Sequence, residues 1–305
     1  FMLRADLVKL GEDDHILIFV THHIAADGWS IPIFFEEFAS NYNSLLNGNT
    51  TEYEPLTVQY ADYSIWQRNY LQGEVLAEKL SYWEDLLEGV APLDLPTDFA
   101  RPLVPDGKGL FYDFELDSSL TAKLHHLTKT TNSSLFITLL SVFKIFLSQY
   151  CNQDDICVGT ALANRRQKEI EGLIGFFINT LALRNYVDVE ESFTEFLLKV
   201  KESTFKGFEQ QDVPFERVVN SLVSERDPSR SPIFQVLFAL QNNKEVQEFN
   251  LGDLVIEKHD FDYNISKYDF TLNVHEEDGT LVLRIEYRTD LFKESTIVRM
   301  AAHFK

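Results

Sequence analysis

The chain has 305 residues, 45% of them hydrophobic, enough to bury one large core or two ordinary ones. Its formal net charge of −21 argues against a nucleic-acid partner, whose phosphates need a basic surface, and equally against docking on an anionic membrane. No apolar run reaches the length of a membrane span, and nothing at the N-terminus resembles a signal peptide.

Phe1 opens inside what reads as a strand, so the chain looks like part of a longer polypeptide. Ile16–Val20, apolar and rich in branched residues, reads as a buried strand. A helix then runs from Ser30 to Leu46, with Ser30 as the cap, Pro32 in the first turn and Phe34, Phe35 and Phe38 on its apolar side. Further helices are expected over Val58–Leu71 and Glu74–Leu87. Pro92, Pro96, Pro102 and Pro105 then break the pattern, since proline neither continues a helix nor joins a central strand. The expected organisation is a partial N-terminal lobe over 1–92, a linker over 93–109 and a C-terminal lobe over 110–305.

In that second lobe, strands are expected near Leu110–Leu116, Ile156–Ala161, Phe176–Tyr186, Phe234–Leu240, Tyr268–His275 and Leu281–Tyr287. Helices fall near Ser119–Thr130, Ser134–Tyr150, Phe193–Phe208 and Phe215–Leu222, and a last helix closes the chain. Helices and strands mix without β-α-β alternation, which favours α+β with mixed sheets over a doubly wound sheet. Cys151 and Cys157 fit no zinc spacing and point to a reducing compartment, the cytoplasm by default.

The most informative stretch is His22-His23-Ile24-Ala25-Ala26-Asp27-Gly28-Trp29-Ser30, placed between a strand and a helix. A side chain there can leave the core, and histidine is the residue whose unperturbed pKa lies nearest neutrality. A lone histidine at a strand end is more often structural, and Asp-Gly is a common turn. His125-His126, inside a polar-faced helix with no Asp-Gly after it, reads as an ordinary surface or half-buried pair.

Four more segments share this texture. Tyr60-Ala61-Asp62-Tyr63-Ser64-Ile65-Trp66 packs aromatics around an acid, and Gly175-Phe176-Phe177-Ile178-Asn179-Thr180 places polar groups in an apolar strand. Asn179 therefore either bonds a loop or faces a cleft. Gln211-Asp212-Val213-Pro214-Phe215-Glu216 and Arg226-Asp227-Pro228-Ser229-Arg230-Ser231-Pro232 complete the set.

Together and in this order, the five segments resemble the condensation domains of non-ribosomal peptide synthetases. Two earlier motifs of that family have no counterpart here, so the domain is expected to lack the start of its N-terminal lobe. Phe1, Leu3, Ile16, Ile18 and Val20 would then need cover from elsewhere. The resemblance implies two chloramphenicol acetyltransferase-like lobes in a V, with the histidine motif in a tunnel between them.

It also implies an acyltransferase that forms amides. A carrier-bound aminoacyl amine would attack a carrier-bound acyl or peptidyl thioester, with no metal and no directly bound cofactor. The phosphopantetheine belongs to donor and acceptor peptidyl carrier domains, and an adenylation domain is expected downstream in the same polypeptide. His23 matches the catalytic position. His22 is expected to be structural, its ring turned inward and bonded to backbone. Asp27 is assigned an ion pair with an arginine from the other lobe, Arg165 first and Arg184 second. Gly28 would allow a tight turn and bring its N–H toward the oxyanion; Trp29, Ser30, Asn179 and Arg184 are candidates for the substrate channel. A coenzyme A-type acyltransferase and a non-catalytic carrier-docking module are the alternatives. Epimerisation domains share the histidine motif but not the last two segments, and heterocyclisation domains replace the histidines by aspartate.

Overall fold

The computed structural model describes residues 1–241, 250–257, 259 and 264–305. Packing groups them into two compact units. The first holds residues 1–72, 163–178 and the described part of 243–262; the second holds the described remainder.

The first unit opens with an antiparallel hairpin, β1 (Leu3–Lys9) and β2 (His15–Thr21), paired from Lys9↔His15 to Leu3↔Thr21. Phe19 of β2 packs edge-on against Phe34, Phe35 and Phe38 of α1 (Ser30–Leu46). Those contacts leave Phe19 half-buried. Leu17, Ile18 and Val20 are exposed, and so is every residue of β1. The apolar run therefore gives the expected strand but not its expected burial, because two strands under one helix have too few neighbours to enclose both faces.

Helix α2 (Tyr60–Tyr70) starts where the Asp62 carboxylate accepts the Gln59 N–H at 2.8 Å. It packs Tyr63 against Ile170, Leu173 and Phe177, with Tyr60 and Val58 beside them. A short helix that the sequence pattern does not reveal, α3 (Lys168–Glu171), lies in this returning segment.

The second unit is built on one mixed sheet. Its strands are β3 (Gly109–Leu116), β4 (Asp155–Leu162), β5 (Asn179–Tyr186), β6 (Val236–Gln241), β7 (Phe270–Glu277) and β8 (Thr280–Arg288). The order is β3-β8-β7-β6-β4-β5, with β6 parallel to both β4 and β7 and the other pairs antiparallel. The helices are α4 (Gly73–Leu87), α5 (Ser118–Thr130), α6 (Leu135–Cys151), α7 (Phe193–Glu209), α8 (Phe215–Leu222) and α9 (Glu294–Phe304). Asp117, Ser134 and Ser192 cap α5, α6 and α7 through their side chains. Helices α6 and α7 pack on each other and on the sheet, around a core that includes Trp83, Phe143, Phe234, Phe238 and Phe270.

The proline-rich stretch belongs to this second unit. Leu93 and Leu95 are buried in its core, and the Leu93 N–H donates to Gln235 Oε1 at 2.7 Å. Helix α4 packs on α8 and β5. Composition thus marks where regular structure stops, not where packing changes. Among the described residues, no single helix is long and apolar enough to cross a membrane. The two cysteines are free and buried, and burial pushes both thiols up to about 12.

Candidate active site

The site grows from the end of β2. Past Thr21 the His22 N–H still bonds Met2 O at 3.0 Å, and the Ala25 N–H then closes a turn on His22 O at 2.9 Å. That turn fixes the two histidines in opposite ways. His22 Nδ1 accepts the Ile24 N–H at 3.1 Å, so its hydrogen sits on Nε2 in the neutral ring. His23 Nδ1 lies 2.8 Å from Ala26 O. A carbonyl only accepts, so here Nδ1 carries the hydrogen, and Nε2 keeps a lone pair in the neutral ring. Both residues are exposed. His22 is bonded to backbone as expected, but its ring is not turned into the core.

Asp27 is the opposite case, at 3% exposure. Its Oδ1 accepts the Ser30 N–H at 3.0 Å and Arg165 Nη2 at 3.1 Å, and its Oδ2 accepts the Phe177 N–H at 2.9 Å. The ion pair with Arg165 is the one expected first, but residues 163–178 pack in the same unit as Asp27, so the partner does not come from a second lobe as expected. Arg165 Nη1 also donates to Ile170 O at 2.7 Å and Leu173 O at 2.6 Å, and its guanidinium lies 4.0 Å from the Phe177 ring centroid. Burial lowers the Arg165 pKa, with Asp27 opposing it. The charge persists, because arginine starts so far above neutrality.

Ser30 is not the helix cap. It is the first helical residue, and its buried hydroxyl is a junction. The hydroxyl accepts from Arg165 Nη2 at 3.0 Å and from the Gly175 N–H at 3.1 Å. Its one hydrogen is shared between Asp27 Oδ1, at 2.8 Å, and Gly175 O, at 3.0 Å. No lone pair or hydrogen is left for a substrate. Trp29 is half turned to solvent, and its indole N–H donates to Glu171 O at 2.9 Å.

Gly28 is exposed, and its φ lies outside the left-handed region, so the turn itself does not require glycine. A Cβ there would meet nothing within 4 Å. The space before it is open.

Two candidates lie elsewhere. Asn179 bonds a loop: its Nδ2 donates to Gln211 O and Val213 O, both at 2.7 Å, and its Oδ1 accepts the Phe215 N–H at 3.1 Å. It caps α8 from a distance, which explains the polar residue in an apolar strand and the Gln-Asp-Val-Pro-Phe segment together. Arg184 pairs with Asp155, at 2.8 and 2.7 Å, and caps the end of α4 through Leu86 O and Glu88 O. The Arg226–Pro232 loop is likewise structural, with Ser229 O receiving Arg101 and Arg288. His125 pairs with Glu276 at 3.1 Å on the surface.

Strand β5 begins at Asn179, not at the expected Phe176. The reason is that Gly175–Phe177 gives its backbone groups to Ser30, Tyr60 and Asp27. Sequence reasoning singles out this segment for Asn179 and passes over Phe176, whose ring faces His23 at 5.4 Å between centroids. A large apolar residue left 38% exposed beside His23 is a signal that only the folded chain supplies. Among the described residues, no group of three or more metal-ligating side chains forms.

The sequence model of the Condensation domain family matches residues 1–305. One linear gramicidin synthase chain from Brevibacillus parabrevis is 43% identical over 305 residues, 99% of this chain and 4% of that protein. Surfactin synthase subunit 1 from Bacillus subtilis (strain 168) is 38% identical over 299 residues, 98% of this chain and 8% of that protein. The chain therefore spans less than a tenth of the length of either relative. Among solved structures, the X-domain from teicoplanin biosynthesis superposes with a TM-score of 0.88 at 25% identity, covering 99% of this chain and 70% of that one.

Proposed function

The chain belongs to the condensation-domain family, and from that premise we propose that it joins a carrier-bound aminoacyl amine to a carrier-bound acyl or peptidyl thioester. The amine nitrogen bonds the acyl carbon, the C–S bond breaks, and the proton lost by nitrogen ends on the donor's thiol. The product is an amide on the acceptor carrier. Phosphopantetheine enters as the arm of each substrate, not as a group held by this chain. Donor and acceptor carrier domains and an adenylation domain in the same polypeptide are the partners this reading requires. The two reduced cysteines fit a cytoplasmic setting.

The observation that carries the proposal is the state of His23. Its Nδ1 is tied to Ala26 O, its Nε2 is left with a lone pair in the neutral ring, and its ring is exposed, while Gly28 of the same loop has open space before it. Such a nitrogen can hold the amine by a hydrogen bond or take its proton as the tetrahedral intermediate forms. The Gly28 N–H is the candidate donor to the oxyanion. Asp27, Arg165 and Ser30 bond one another and the backbone around them, so they fix the loop and do not touch substrate.

Magnitudes rank the contributions. An α-amine titrates near pH ~8, so an appreciable share is free base at neutral pH. Holding two tethered reactants in line supplies roughly 7–11 kcal/mol, against about 3–5 kcal/mol, or ~10²–10⁴-fold, for general-base help. Positioning is the larger share and His23 the aid. In the full-length protein, with loaded carrier domains and the product read by mass spectrometry, His23→Ala should lower amide formation about 10²-fold. Wild-type turnover by that variant with several substrate pairs would remove His23 from the chemistry.

A further inference from the structure

Gly175–Phe177 is held by side chains where a strand would be held by a neighbouring strand. The Gly175 N–H and O both meet Ser30 Oγ, at 3.1 and 3.0 Å. Tyr60 OH donates to Phe176 O at 2.8 Å, and the Phe177 N–H donates to Asp27 Oδ2 at 2.9 Å. Burial, the largest influence on it, raises the Tyr60 phenol, so it remains a donor throughout the neutral range. The fit is close, since a Cβ on Gly175 would sit 2.4 Å from the Tyr60 ring.

The two phenylalanines of this segment face different surroundings. Phe177 is buried between Tyr60, Tyr63 and the Arg165 guanidinium. Phe176 is exposed, and its ring stands edge-to-face on the His23 imidazole, 5.4 Å between centroids at an interplanar angle of 85°. An imidazole pinned by one hydrogen bond at Nδ1 can still swing about that bond. A rigid ring against it removes the freedom.

We propose that Phe176 is a positioning residue for His23: the Ser30–Tyr60–Asp27 cradle fixes the Phe176 backbone, and the Phe176 ring holds the imidazole so that Nε2 points at one place. The inference rests on the reading of His23 as the group that meets the amine. It gives the Gly175–Thr180 segment a role beyond the helix cap that Asn179 makes.

The test uses the full-length protein with loaded carrier domains. Phe176→Leu, which keeps bulk and loses the ring, should lower kcat about threefold to tenfold with KM for the carrier-bound amine unchanged. Phe176→Tyr should stay within about twofold of wild type, and Tyr60→Phe, which removes only the anchoring hydroxyl, should fall between. In a ¹³C-histidine spectrum, the His23 Cε1–H resonance should move in Phe176→Leu while that of His22 stays. Wild-type kcat in Phe176→Leu, a loss wholly in KM, an unmoved His23 resonance, or a Phe176→Tyr as slow as Phe176→Leu would each overturn the proposal. His23→Ala separates the failures. If that variant turns over normally, the reading of His23 falls, while the resonance shift still reports whether Phe176 orders the ring.

Discussion

Two arginine–aspartate pairs in this molecule use the same groups for different ends. Arg165–Asp27 closes the site loop of the first unit; Arg184–Asp155 ties β5 to β4 in the second. Each arginine also gives Nη1 to two backbone carbonyls. The contrast lies in solvent and geometry. Side-chain exposure is 1% and 2% in the first pair, against 8% and 21% in the second. Arg184 meets its carboxylate through two parallel bonds, whereas Arg165 uses only Nη2, and its buried Nε has no partner among the described residues. Accordingly, burial lowers the Arg165 pKa, while hydrogen bonding to Asp155 raises that of Arg184. The first pair is a weak source of stability and a strong constraint, because each partner is costly without the other. The second is a partly wet, well-formed clasp.

Removing one partner sharpens this comparison most. Asp27→Asn leaves a buried guanidinium unpaired and should cost about 3–5 kcal/mol in urea unfolding. Asp155→Asn, facing water, should cost about 1–2 kcal/mol. Equal losses would mean that the two pairs do not differ in kind.

The sheet side carries a pH signature. Lys144 on α6 is fully buried, donating to Leu183 O at 2.7 Å and to Asn185 Oδ1, and burial brings its pKa down to about 7 from 10.5. Between those values the unfolded chain binds the extra proton, so stability should rise with pH from about 7 and flatten below it. The slope is at most about 1.4 kcal/mol per pH unit. The buried thiols act in the opposite sense only above pH 9. Denaturant midpoints between about pH 7 and 8.5 should therefore climb in wild type and stay level in Lys144→Met; parallel curves would remove the lysine from the account.

The smallest expected change in stability is at the site's open edge. Gly28→Ala meets no protein atom and should unfold within about 0.5 kcal/mol of wild type. Its amide-forming rate should nonetheless fall, because the methyl enters the space assigned to substrate. An unchanged rate would free that space of any such role.

Much of this contrast is legible in the residues. The strand-turn-helix setting of His23, the pairing of Asp27 with Arg165, and most helices follow from patterning and the ordered motifs. Arg184 and Asn179 are candidates for the channel on sequence grounds because a polar group in an apolar strand reads alike whether it faces substrate, a helix end or a loop. Ser30 resembles a cap because its sequence position suits one, while its hydroxyl is spent on a segment about 145 residues away. Phe176 stays hidden in the sequence, since apolar residues carry no mark of which ring they will meet.

The proposed role of His23 rests on backbone contacts that set the two histidines in opposite tautomers and leave His23 Nε2 free. Two-bond ¹H–¹⁵N correlation of the histidine rings in the full-length protein at neutral pH tests it directly. The account predicts a protonated Nδ1 and bare Nε2 for His23, with the reverse for His22. A His23 ring carrying its hydrogen on Nε2 would contradict it.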